Sequence, residues 1–142
     1  MTPAAASGTG RRRRGRELAL RVLFEIEGTA KDPDFALRYQ GDDLRATADV
    51  VGFARTIVVG CVEHLDAIDA AIAAAMEHWS LVDLGKVERA VLRLGTFELL
   101  YMPATPVAVV IDESIELARA YAGDEPAQFV NGVLGHVARE RA

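Results

Sequence analysis

Five arginines stand within six positions, in "RRRRGR" at Arg11, Arg12, Arg13, Arg14 and Arg16, and an apolar helical pattern, "ELALRVLFEIE", begins directly behind them. A guanidinium is planar and always charged, grips phosphate through a fork of donors and stacks on bases. Such a run fits a polyanionic partner. Its position argues against a purely structural purpose. Cations at a helix N-terminus face the positive end of the macrodipole, at a cost of about a few tenths of a kcal/mol each. The five also repel one another, and Glu17 is the only acid near them in sequence. The cluster is therefore expected to weaken its own surroundings unless an external anion, a nucleic-acid phosphate, arrives. Arginine-rich segments that order on binding are a common way to bind RNA, although this run alone does not separate RNA from DNA. Arg14 and Arg21 share a helical face, so the cationic strip can continue down the helix. Glu17 and Glu25 both stand four residues from Arg21, where they can pair with it.

Other reactive residue types lack the company that chemistry needs. His64, Asp66 and Asp69 form a loose cluster in "HLDAID" without a third strong metal ligand, and read as a solvated helix face. His78 has no serine–histidine–aspartate arrangement around it, and His136 reads as a surface residue of the last helix. Cys61 is the only cysteine, within "TIVVGCVEHL", which excludes an internal disulfide and a cysteine zinc site and points to a buried structural thiol. "GTG" follows no strand pattern and makes no phosphate-cradling loop. No metal, no cofactor and no enzymatic activity are expected.

The charge is unevenly placed. The chain has 142 residues, with 16 Lys+Arg against 21 Asp+Glu. Residues 1–16 carry five positive charges and no acid, whereas residues 17–142 hold 11 basic and 21 acidic groups. The molecule is an acidic body with a cationic arm, an asymmetry that suggests a nucleic-acid partner. Its arginine count of 14 against two lysines suits bidentate phosphate contacts, although a GC-rich genome can produce the same bias. No apolar run approaches the length of about 20 that a membrane span needs, and "MTPAAASGTG" lacks the apolar core of a signal peptide. A cytoplasmic protein without membrane contact is expected.

The elements that must position the arginines all read as helices. Residues 1–10 have the composition of a disordered tail, and 11–142 form a single all-helical domain. Apolar residues recur at three and four, as in Leu20, Leu23, Phe24 and in Val87, Val91, Leu94. A helix is predicted over about 12–27, ended by Gly28, and a short helix or irregular segment covers about 33–40, followed by a loop through Gly41 and Asp43. A long pattern at 47–77 breaks near His64. Further helices cover about 82–102, stopped by Pro103 and Pro106, then 107–121, ended by "AGDEP", and 128–141. This is an all-α bundle of six or seven helices. Gly52, Gly60, Gly95 and Gly132 fall inside helices and are read as places of close helix approach. Glu98 falls inside the apolar arc between Val91, Leu94 and Met102, so it needs an arginine or a helix N-terminus as partner.

Three stretches carry a family resemblance. "VERAVLRLGTFELL" (87–100), followed by Pro103, Pro106 and "VAVVIDESIELARAYAGDEPAQFVNGVLGHVA" (107–138), resembles the C-terminal half of the NusB family of bacterial transcription antitermination factors. "RRRRGRELALRVLFE" resembles that family's arginine-rich motif and first helix. The resemblance spans about residues 11–138, with "FVNGVL" and "ELA" its most specific pieces, and 28–60 matches only in helical pattern. It implies two packed three-helix sub-bundles and an RNA-binding protein without catalysis. The implied RNA is the single-stranded boxA segment of ribosomal RNA leader transcripts, bound together with the small-subunit ribosomal protein NusE. Other Nus factors and RNA polymerase complete the implied complex, which suppresses premature termination and aids ribosomal RNA maturation.

By the same resemblance, Arg11, Arg12, Arg13, Arg14 and Arg16 are the RNA-binding arginines, and Tyr121 and Phe129 are the aromatic residues beside the RNA. Single-stranded bases stack on such rings, worth about 1–3 kcal/mol per base. The structural alternative for Tyr121 is core packing at a helix end, and for Phe129 a staple at the start of the last helix. The acidic "GDEP" loop (123–126) between them is placed to tune RNA affinity by repulsion. Glu88 matches a position that meets the ribosomal protein. The chain departs from the family pattern in its ten residues before the arginines and in Gly15 within the motif, which is expected to delay the helix start. The family includes monomers and dimers, so a homodimer covering the arm stays open. Two other readings are an accessory domain of a ribosomal RNA cytosine methyltransferase, for which no alternating β/α pattern is present, and a helical dimerisation module that leaves the arm unexplained.

Overall fold

The computed structural model describes residues 8–141, and the tail expectation for residues 1–7 lies outside them. Every regular element among the described residues is a helix, with no strand among them. Seven α-helices follow one another: α1 (Gly8–Ile26), α2 (Pro33–Asp43), α3 (Ala48–Glu63), α4 (Leu65–Ala74), α5 (Lys86–Tyr101), α6 (Val107–Ala122) and α7 (Asp124–Arg141), with a 3-10 turn at Leu81–Asp83. The chain divides between Gly60 and Cys61 into two compact units.

In the first unit, α1 begins at Gly8, earlier than position 12, and runs unbroken through Gly15. Its buried face is Leu18, Ala19, Val22 and Leu23. Helix α2 starts where local chemistry favours it: the Asp32 carboxylate accepts from the Asp34 N–H at 3.1 Å, and Pro33 takes the first helical position, where no N–H is needed. It continues through Gly41 to Asp43, where a loop was expected, and Gly41 is buried in that last turn. Asp34 also receives Arg55 of α3 through two contacts, at 2.8 and 3.3 Å.

The second unit contains four α-helices, α4 to α7, the long 47–77 pattern breaking at His64 as expected and leaving α4 as a separate element. Helix α5 is its centre and touches α4, α6 and α7. Residues Ala90–Leu99 of α5 are buried except for Arg93. Gly95 allows this crowding: a Cβ there would stand 2.8 Å from Leu134 Cδ1 and 2.9 Å from Ser114 Oγ, so α6 and α7 approach the α5 backbone. The expected close approach is met at Gly95 but not at Gly52 or Gly132, where no neighbouring side chain or helix lies within 4 Å of the missing Cβ. Glu98 is fully buried, as its place in the apolar arc required.

Two boundaries depart from the periodicity. Helix α5 starts at Lys86 rather than 82, because Leu81–Asp83 wind as a 3-10 turn and Leu84 and Gly85 are extended. The Arg89 guanidinium fixes that turn, donating to Leu81 O at 3.1 Å and Leu84 O at 2.7 Å. Helix α7 starts at Asp124 rather than 128, so "GDEP" is a helix start more than a loop. Pro126 needs no donor in a first turn, and Asp124 and Glu125 favour the positive end of the macrodipole.

Of the side chains considered for metal or nucleophilic chemistry, Asp69, His64 and Cys61 have structural partners. Asp69 meets Arg93 through two 2.9 Å contacts. His64 stacks on Tyr101 with ring centroids 4.2 Å apart. Cys61 is buried, its thiol donating to Arg93 O at 3.5 Å, and burial pushes its pKa up to about 12. Among the described residues no group of three or more His, Cys, Asp or Glu is placed to hold a metal ion.

Candidate nucleic-acid interface

Two patches carry the residues singled out in the sequence, one in each unit. The first lies on the opening turns of α1. Arg11, Arg12, Arg13 and Arg14 are exposed, but Arg16 is only 1% exposed and faces inward. A guanidinium so buried is out of reach of a phosphate, and Arg16 parts from the other four in that respect.

The expectation that only an external anion steadies this cluster is corrected by the partners that later segments supply. Arg11 Nε lies 3.1 Å from Asp49 Oδ2 in the first turn of α3. Arg14 donates to the Leu44 carbonyl, just beyond α2, at 2.9 Å. The Arg12 guanidinium stands 4.7 Å from the centre of the Phe53 ring and that of Arg16 5.4 Å from it, both within cation–π reach. Gly15 does not delay the helix; it admits α3. A Cβ there would be 2.6 Å from Phe53 Cδ2 and 3.3 Å from Val50 O. The Thr47 hydroxyl, donating to Asp49 at 2.5 Å, holds the Asp49 carboxyl below the usual carboxylate range, with backbone N–H groups and Arg11 adding to the effect. Arg11, Arg12, Asp49 and Phe53 line a pocket of about 250 Å³.

Further along α1, Arg21 lies 3.7 Å from Glu17 but does not take Glu25. Glu25 instead accepts from Gln40 at 2.9 Å and Lys31 at 3.3 Å, and Asp43 stands 4.0 Å from Arg21. The cationic strip therefore ends within the first turns of α1 and is followed by paired charges.

The second patch belongs to the other unit. Tyr121 stands in the last turn of α6 and is exposed, which removes core packing as its explanation. Phe129 is half-buried on α7 and meets the exposed Trp79 edge-on, with centroids 6.3 Å apart. A groove of about 330 Å³ opens beside the Trp79 and Phe129 rings, and Glu88, Asp83 and Glu125 also line it, whereas Tyr121 is not among its lining residues. Glu88 accepts from the Gly85 N–H at 3.2 Å and thereby caps α5. Asp83 accepts from the Ser80 N–H at 3.1 Å and its hydroxyl at 2.9 Å. The groove thus combines aromatic faces with carboxylates, the reverse of the charge on α1.

Asp49, Phe53 and Trp79 are not among the residues that the sequence singles out. Asp49 and Phe53 are four apart, on one helical face, which is a visible signal. Their proximity to α1 is not visible, because it joins segments more than 30 residues apart.

The sequence model of the NusB family matches residues 13–139. The chain belongs to the NusB family. It is 44% identical over 124 residues to the transcription antitermination protein NusB of Lysinibacillus sphaericus, covering 87% of this chain and 94% of that one. It is 40% identical over 129 residues to the transcription antitermination protein NusB of Heliobacterium modesticaldum, and there spans 91% of its own length but 63% of the relative's. Among solved structures it is similar to one of the antitermination factors NusB and NusE in complex with double-stranded RNA, with a TM-score of 0.85, 27% identity and coverage of 92% of this chain and 98% of that one. The NusB match includes Arg13, Arg14, Arg16, Glu88, Tyr121 and Phe129, and begins just after Arg11 and Arg12. Among the described residues no helix is long and apolar enough to cross a membrane.

Proposed function

We propose that this chain is a non-catalytic, cytoplasmic transcription antitermination factor. It binds the boxA segment of ribosomal RNA leader transcripts together with ribosomal protein NusE, suppressing premature termination and aiding ribosomal RNA maturation with the other Nus factors and RNA polymerase. The observation that carries this reading is the exposed group Arg11–Arg14 at the head of α1 in an otherwise acidic chain. The solved complex of NusB and NusE with RNA, to which the fold is similar, supports the same partners.

In this reading Arg11–Arg14 hold phosphates, while Arg16 supports them from within by its contact with Phe53. Tyr121 and Phe129 offer faces on which unpaired bases stack. The carboxylate side of the groove, with Asp83, Glu88 and Glu125, suits the ribosomal protein better than a phosphate, while the Phe129 ring at the same groove is left for an uncharged base. Glu88 then has two duties, capping α5 and meeting the partner.

The test is fluorescence anisotropy of a labelled boxA RNA, single-stranded and in a duplex, against a scrambled RNA, with and without the ribosomal protein. Binding that prefers boxA and tightens with the partner is expected. Equal, weak binding to every RNA under all conditions contradicts the reading.

A further inference from the structure

We propose that the pocket formed by Arg11, Arg12, Asp49 and Phe53 is a nucleotide subsite, whose phosphate position Asp49 occupies while RNA is absent. The inference rests on the RNA-binding reading above and adds to it a place and a competitor.

The chemistry of the exchange is simple. A carboxylate and a phosphodiester present the same kind of oxygen to a guanidinium, and both accept charge-assisted hydrogen bonds from it. Arg11 is already turned toward such an acceptor, 3.1 Å from Asp49 Oδ2. The side chains of this pair are 53% and 56% exposed, so water and ions reach both partners and the bridge opens at little cost. Thr47 is the second holder of Asp49, so the carboxylate keeps a donor when Arg11 leaves.

The rest of the pocket fits the remainder of a nucleotide. Phe53 forms its floor, fixed against α1 by the absence of a side chain at Gly15. The Arg12 guanidinium, 4.7 Å from that ring, is held where a base can stack on it or replace it. At about 250 Å³ the space is large enough to admit a nucleobase. A carboxylate beside an approaching phosphate repels it, so Asp49 lowers affinity for any RNA that fails to displace it. The subsite thus raises the threshold for binding a polyanion without removing the arginine that binds it.

The experiment is a double-mutant cycle on the full chain, read by anisotropy of labelled boxA RNA at several salt concentrations, with Asp49→Asn, Arg11→Ala and the pair. Asp49→Asn is expected to tighten binding about three- to tenfold and to steepen the plot of log affinity against log salt by up to about 0.7, the share of one phosphate on a single strand. In the Arg11→Ala background the same change is expected to alter affinity by less than about twofold, since the pair interacts directly. Asp49→Ser, a different neutral residue in the first turn of α3, should repeat the gain, and circular dichroism checks that each variant is folded. Phe53→Leu is expected to weaken binding about fivefold with helicity retained. An unchanged affinity on Asp49→Asn overturns the proposal, as does a gain of equal size with and without Arg11, which reports bulk charge alone. A native protein that binds no RNA overturns the functional reading itself, a separate and recognisable failure.

Discussion

The arginine patch on α1 and the aromatic groove beside α5 and α7 differ in how their charges are met. On α1, Arg11, Arg12 and Arg14 find a carboxylate, a ring and a carbonyl, all supplied from about residue 44 to residue 53. In the groove, Asp83 and Glu88 are occupied by neighbours three residues away, Ser80 and Gly85, and serve as local caps. Contacts on the arm are exposed and exchangeable, as the proposed uptake of phosphates requires. Asp83 and Glu88 shape a turn and are fixed by it, as the proposed docking of another protein requires. One patch is built to exchange counter-charges and the other to keep its form.

Replacing Arg11–Arg14 together by alanine tests the first half of that contrast, with the largest expected effect. Affinity for boxA RNA should fall by about 100-fold or more at low salt, while binding of the ribosomal protein is retained. A loss of both would break the division between the patches. Phe129→Ala should cost roughly tenfold in RNA affinity, the value of one stacked base, and should leave the salt dependence unchanged because no charge is removed.

The form of the second unit depends on α5. Gly95→Ala would place a Cβ 2.8 Å from Leu134 and 2.9 Å from Ser114, so urea unfolding should show a loss of about 1–3 kcal/mol from overpacking. The smallest effect concerns Cys61. Its folded pKa is raised to about 12 from an ordinary 9.0, so the unfolded thiol ionises first. Its contribution is therefore present below pH 9 and is lost as pH rises from there toward 12. At pH 8 a thiol reagent should leave Cys61 unmodified in the folded protein and modify it in denaturant.

What the sequence disclosed follows the same division between local and distant. The helices, the break at His64 and the stop before Pro103 were legible because periodicity and proline act within a few residues. The starts of α5 and α7 were misread where a 3-10 turn and an early proline interrupt the apolar pattern. The exposed arginines were legible, but the burial of Arg16 was not, because Phe53 lies 37 positions away. The stabilising partners of the arm escaped for the same reason. Arg11 is met by Asp49 of α3 rather than by Glu17, the acid nearest in sequence.

The most direct test of the account is the salt dependence of RNA binding by the native chain and by the variant with Arg12 and Arg13 replaced by alanine. If Arg11–Arg14 each hold one phosphate, log affinity for single-stranded boxA should fall with log salt at a slope of roughly −2.8, and the variant should lose about 1.4 of it. A native slope near zero, or the same slope in both proteins, would contradict the claim that this arginine patch holds the RNA backbone.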